Sequence, residues 1–202
     1  MTSASTPDRL MDAALKLFAD CGYKATTIGA IETEAGLAPR SGALYQHFKG
    51  KQQLLEAMLD RELAGMDELA QAMEMFPLGD LRAELTMLAR WNLASLDRRA
   101  SLTRFVRREA DLLPQRQRAK LYDRLVARPY AEIVAWLGSR FRDAGVDAPD
   151  LDPLALILIE SMAAYRELDR VFGQVPGQVD DERFVRAWVD TAIAVGRRHG
   201  LS

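Results

Sequence analysis

The chain has 202 residues, 49% hydrophobic, 28% charged and 7% aromatic, with a formal net charge of -2. That length makes one domain or two small ones, the apolar content excludes a wholly disordered chain, and the net charge argues against a histone-like DNA coat. One cysteine, Cys21, and two histidines, His47 and His199, exclude a disulfide scaffold and a Cys/His metal site, so no cofactor and no metal are expected.

In chain order, Met1 to Leu10 lacks the basic-then-apolar order of a secretory signal, and a cytoplasmic protein is expected. Thr6-Pro7 reads as a helix start, a hydroxyl cap followed by proline at the first helical position. Leu10, Ala14, Leu17, Phe18 and Cys21 then share one helical face, which places Cys21 in the core as a small hydrophobe. Gly22 ends the helix. Thr27 caps a short second helix with Ile28 and Ile31 that closes at Ala35-Gly36, and a short third helix is predicted near Ser41 to Phe48. Lys51 opens a long fourth one carrying Leu55, Met58, Leu59, Met66, Leu69 and Met73.

Pro77 to Asp80 is a break. Leu81, Leu85, Leu88 and Trp91 mark the next helix, and Pro114 breaks the chain again. The helix through Leu121 and Leu125 meets Pro129, which must kink or stop it, before Ile133, Leu137 and Phe141 resume the face. Asp143 to Pro149 is a turn, and Asp152-Pro153 repeats the cap-plus-proline signal. The apolar run Leu154 to Ile159 stops at Glu160, far short of the roughly 20 residues a membrane span needs. Asp180 to Glu182 suit a helix N-terminus and Arg197 to His199 a C-terminus. The fold class is all-α, about nine helices with no convincing strand.

The stretch from Gly22 to Leu55 carries a mechanism. A short helix, a glycine turn containing Leu37, and a second short helix form a helix-turn-helix, with Ile31, Leu37 and Leu44 as its small core. In such a unit the second helix enters the DNA major groove, about 12 Å wide. Its solvent face offers Arg40, Ser41, Tyr45, Gln46 and His47. Thr27 and Lys51 sit at helix starts, where backbone N–H groups favour phosphate oxygens.

Those residues resemble the TetR family of bacterial transcriptional regulators. The resemblance lies in Thr26-Thr27, in Ile31 with Ala35-Gly36 (I-x-x-x-A-G), and in Leu44 to Leu55 (L-Y-x-H-F-x-x-K-x-x-L-L), and covers about residues 10–60. It implies a DNA-binding domain over 1–51 and a helical ligand-binding and dimerisation domain over 52–202. It also implies a homodimer on a palindromic operator, released by a small-molecule effector, and by default a repressor. Carried onto this chain, Thr27 and Lys51 would contact phosphate, Tyr45 and His47 the DNA backbone, and Arg40, Ser41, Gly42 and Ala43 base edges. Arg40 is the strongest base reader, since a guanidinium binds guanine bidentately. The chain departs from the family in two places. Leu37 to Ala43 is about two residues longer than usual, and Glu32 stands where a packed alanine is common.

The charge is uneven. Residues 98–128 hold ten Lys/Arg against three acids, residues 143–190 four against eleven, and residues 1–51 six against five. The most basic segment is thus not the one expected on DNA. It reads as a solvated helix face, paired partly with the acidic 143–190 region. Met87, Trp91, Phe105, Trp136, Met162 and Tyr165 are either core or the lining of an apolar effector pocket. The helices near 152–172 and 180–199 suit a dimer bundle. No nucleophile elbow, phosphate loop or metal spacing suggests an enzyme; the alternative is a helical small-molecule-binding protein that does not read DNA.

Overall fold

The computed structural model describes residues 4–39, 41–64, 76 and 78–201. Among these the chain is helical, with no strand. The helices are α1 (Thr6–Cys21), α2 (Ile28–Glu34), α3 (Lys51–Ala64), α4 (Leu81–Arg98), α5 (Ala100–Glu109), α6 (Gln115–Tyr122), α7 (Arg128–Asp143), α8 (Leu151–Phe172) and α9 (Asp181–Arg198). No helix is long and apolar enough to cross a membrane among the described residues.

The chain packs as two units that each use two stretches of sequence. One comprises Met1–Met66 with Arg99–Tyr122, the other Asp67–Arg98 with Asp123–Ser202. The packing therefore does not divide at residue 51: α3 packs on α1, and so does α5 from the middle of the chain. In the first unit Leu10, Phe18, Ile31, Leu44, Leu54, Met58, Leu102 and Phe105 are almost entirely buried. Phe18 meets Phe105 at 6.2 Å between ring centroids and Tyr23 edge-on at 5.2 Å. In the second unit, α4, α7, α8 and α9 contribute Leu85, Ala89, Leu93, Trp136, Leu137, Met162, Tyr165, Val185 and Val189 to one core. Burying each large apolar side chain of this kind contributes about 1.5–3 kcal/mol.

Several helix boundaries follow the local chemistry, and some move by one or two residues. The α1 cap is Ser5, whose hydroxyl accepts from the Asp8 amide, so Pro7 falls at the second helical position rather than the first. The α2 cap is Thr27, as expected, accepting from the Ala30 amide at 3.2 Å. For α8 the cap is Asp150 rather than Asp152.

Four departures have physical causes. The helix expected over Ser41 to Phe48 is only a 3-10 turn, Leu44–Gln46; Pro39 and Gly42, at φ 74°, hold the preceding chain out of helical geometry. Pro129 does not stop the helical course of the chain. The residues Asp123–Ala127 widen into a π turn, Ala127 keeps helical geometry at φ -65° and ψ -45°, and the proline falls in the first turn of α7. A break at Arg99, between α4 and α5, carries no glycine or proline and was not legible. Cys21 is exposed, not buried, because α1 ends on it. Met66, Leu69, Met73 and Pro77 lie outside the described residues.

Candidate functional site

The first unit places Thr27, Ser41, Gly42, Ala43, Tyr45, Gln46, His47 and Lys51 around one helix-turn-helix. Arg40 lies outside the described residues. The turn after α2 is fixed by backbone and by α1 together. The Leu37 amide donates to the Glu32 carbonyl at 2.8 Å, and the Arg9 guanidinium, reaching from α1, donates to the carbonyls of Ala35 and Gly36. Gly36 takes φ 70°, the left-handed geometry that glycine enters at little cost.

The second element is short. Tyr45, His47 and Phe48 amides donate back to Gly42 and Leu44 carbonyls within 2.8–3.0 Å. Leu44 and Phe48 turn inward, while Tyr45 (61% exposed), Gln46 and His47 face solvent. That sorting matches the solvent face expected for Tyr45, Gln46 and His47.

Glu32 proves to be part of the construction. Its side chain is fully buried, and Oε1 accepts the Leu44 amide at 3.2 Å, holding the start of the 3-10 turn against α2. Its Oε2 is buried with no hydrogen-bond partner. At a position where the resemblance implies a packed alanine, the chain buries a carboxylate bonded to the Leu44 amide.

Lys51 is engaged inward rather than presented as a free cation. Its Nζ donates to the carbonyls of Tyr23 at 2.7 Å and Thr26 at 2.8 Å, and lies 4.4 Å from the Tyr23 ring centre. Partial burial lowers its pKa below the ordinary lysine value. Lys51 thereby pins the loop that delivers Thr27 to the start of α2.

The candidate effector residues do not all meet. Trp91, Trp136, Met162 and Tyr165 belong to the core of the second unit, while Phe105 belongs to the first, packed on Phe18. Met87 is half-buried on α4. The Asn92 amide donates to the Met162 sulfur at 3.2 Å. The Trp136 indole N–H is buried without a hydrogen-bond partner, as are Arg140 Nε on the same helix and Glu84 Oε2 on α4. Glu84 is fully buried, accepts the Leu78 amide at 2.6 Å and lies 3.6 Å from Arg140. Sequence reading missed this polar group; Glu160, which ends the apolar run of α8, is exposed. The one signal available was a glutamate within the periodic apolar pattern of α4.

Tyr165 also borders a cavity of about 440 Å³, with Arg166, Asp169, Val175 and Val179 to Glu182. Burial, reinforced by its hydrogen bond to Asp181, pushes the Tyr165 hydroxyl up to about 12. The bidentate Arg166 guanidinium, at 2.6 and 2.7 Å, holds the Asp181 carboxyl below its usual value.

Residues 10–58 match the model of bacterial regulatory proteins, tetR family. That segment is similar to the DNA-binding domain of the tetR family. The chain is similar to the HTH-type transcriptional repressor KstR2 of Mycolicibacterium smegmatis. They are 48% identical over 56 residues, 28% of this chain and 26% of that protein. It is also 30% identical over 104 residues to the uncharacterized HTH-type transcriptional regulator YvkB of Bacillus subtilis, 52% of each chain. The matched part thus spans about a quarter and about half of those relatives. The likeness of fold runs further than residues 10–58. A transcriptional regulator FadR from Bacillus subtilis, solved in complex with stearoyl-CoA, superposes with a TM-score of 0.61. It is 15% identical, over 91% of this chain and 95% of that one.

Proposed function

We propose that the protein is a ligand-responsive transcriptional regulator, a repressor acting in the cytoplasm, and not an enzyme. It binds a palindromic DNA operator as a homodimer, and a small molecule releases it. The observation that carries this reading is the helix-turn-helix itself. The segment that matches the tetR-family model, residues 10–58, buries Leu44 and Phe48 and turns Tyr45, Gln46 and His47 outward. Tyr45 and His47 contact the DNA backbone, and Arg40 with residues 41–43 reads base edges. Thr27 and the start of α3 at Lys51 meet phosphates through their helix N-termini.

An exposed apolar stripe on α8 supports the homodimer. Ile157 (66% exposed), Leu168, Val171 and Phe172 (67% exposed) lie at helical spacing along one side. Trp136, whose indole N–H has no partner, and the apolar residues around it support an effector site in the second unit. The stearoyl-CoA bound by the FadR structure makes fatty acyl-CoA thioesters the first effector class to test.

The test is selection of bound duplexes from a random-sequence pool, followed by titration of the selected DNA with wild type, Tyr45→Ala and Ile157→Asp. A palindromic sequence bound by wild type, lost in Tyr45→Ala, and bound weakly by a now monomeric Ile157→Asp is expected. Recovery of no preferred sequence would leave a helical ligand-binding protein that does not read DNA. Addition of stearoyl-CoA then asks whether the complex dissociates. Regulation of this kind needs a coupling of about 1–3 kcal/mol, or 5–150-fold in affinity.

A further inference from the structure

The basic segment that the sequence set apart from the helix-turn-helix lies in the same compact unit. Residues 1–66 alone hold seven lysines and arginines against eight acids, a charge of -1. Residues 99–122, which complete the unit, add seven against two, so that the whole carries fourteen against ten, or +4. The positive charge of the DNA-binding unit therefore comes from α5 and α6, outside the stretch that matches the family model.

Ion pairing shows which of these cations are spoken for. Arg104 pairs with Asp20 of α1, Lys120 with Asp60 of α3, and Arg108 donates to the carbonyls of Asp20 and Cys21. None of these three partners lies in the acidic 143–190 region. Arg116 and Arg118 are exposed and form no ion pair among the described residues.

The same interactions fix where α6 begins. Gln117 donates to Glu56 and Lys120 to Asp60, so advancing three residues along α6 advances four along α3. The two helices run in the same direction, and α6 starts at the end of the unit where α3 starts. The preceding connection begins at that end too, because Glu109 accepts the Tyr23 amide at 3.2 Å, and Tyr23 bonds Gln52 and carries Lys51 over its ring. Side chains on a helix lean toward its N-terminus, which carries the Arg116 guanidinium toward the level of Lys51. Lys24 and Lys49, also exposed and without ion pairs among the described residues, flank the same end.

We propose that Arg116 and Arg118 at the start of α6 form a second phosphate-contacting element, extending the DNA-facing surface beyond the helix-turn-helix. The inference rests on the reading of the first unit as DNA-binding. These side chains neutralise backbone phosphates and read no bases, so they raise affinity for every sequence alike and steepen its dependence on salt.

The test compares full-length wild type with Arg116→Gln/Arg118→Gln on a duplex selected by wild type, titrated from low to high salt. Arg82→Gln/Arg142→Gln, which removes the same charge from exposed positions on α4 and α7, is the control. The slope of log affinity against log salt should fall by up to about 0.9 for each phosphate that is no longer neutralised. With two such phosphates the variant becomes about tenfold less sensitive to a fourfold rise in salt. Its selected sequence should be that of wild type, its melting temperature unchanged, and the control should keep the wild-type slope. An unchanged slope in Arg116→Gln/Arg118→Gln overturns the proposal while leaving the DNA-binding reading intact. An equal fall in the control also overturns it, by showing an effect of net charge alone. Absence of salt-sensitive binding by wild type overturns both readings together.

Discussion

Glu32 shows how one residue adapts a common motif to an altered loop. Glu32 is fully buried between α2 and the start of the 3-10 segment, and its carboxylate accepts the Leu44 amide. Glu32→Ala removes that acceptor and strands a buried N–H, a loss of about 1–3 kcal/mol before any cavity cost. Glu32→Gln keeps an acceptor oxygen in place and is expected to cost less than about 1 kcal/mol. Urea unfolding of the two variants separates them, and amide exchange at Leu44 should accelerate only in the alanine variant. Equal stability of both would mean that the side chain merely fills space. The departure at Glu32 was visible in the sequence as an oddity, but its partner was not. The partner is a backbone amide twelve residues away, brought close only by the fold.

At the scale of elements, the recognition segment is the instructive case. The outward face of Tyr45, Gln46 and His47 was legible from the motif, whereas the length of the helix was not. Gly42 stands at φ 74° with open space around its α-carbon, so its substitution is a test of backbone geometry alone. Gly42→Ala is expected to lose about 1–2 kcal/mol through the left-handed conformation. Alternatively the chain relaxes by extending the helix backward through residue 42. A measured loss of stability with retained exchange rates at Tyr45 and Gln46 supports the short turn; added helical circular dichroism without loss of stability would contradict it. The caps at Thr27 and Asp180 were legible in the sequence, whereas those of α1 and α8 fall one and two residues earlier than expected, at Ser5 and Asp150. The break at Arg99 was not legible, because no residue there forbids helix; packing of α5 onto α1 decides it.

The whole molecule inverts the simple division into an N-terminal and a C-terminal part. Leu102 and Phe105 of α5 are nearly fully buried in the unit that holds the helix-turn-helix. A fragment ending at residue 66 would leave Phe18 without its ring partner at 6.2 Å and the first unit without α5. That fragment is expected to show no cooperative thermal transition by circular dichroism. A sharp transition matching one phase of the full-length protein would show that 1–66 folds independently. The conflict between the basic stretch and the motif disappears at this scale, since both belong to one unit of charge +4.

Periodicity, caps and breakers act between residues a few positions apart, and for that reason the sequence by itself determined the all-α class, most helix boundaries and the helix-turn-helix with its outward-facing Tyr45, Gln46 and His47. Interactions between residues tens of positions apart carry no local signature. Only the tertiary structure decided that Lys51 turns inward onto Tyr23 and Thr26, that Phe105 leaves the company of Trp136 and Tyr165, and that α5 and α6 join the first unit. In each case the deciding quantity is which surfaces are buried against one another, and that is fixed only when the whole chain has packed.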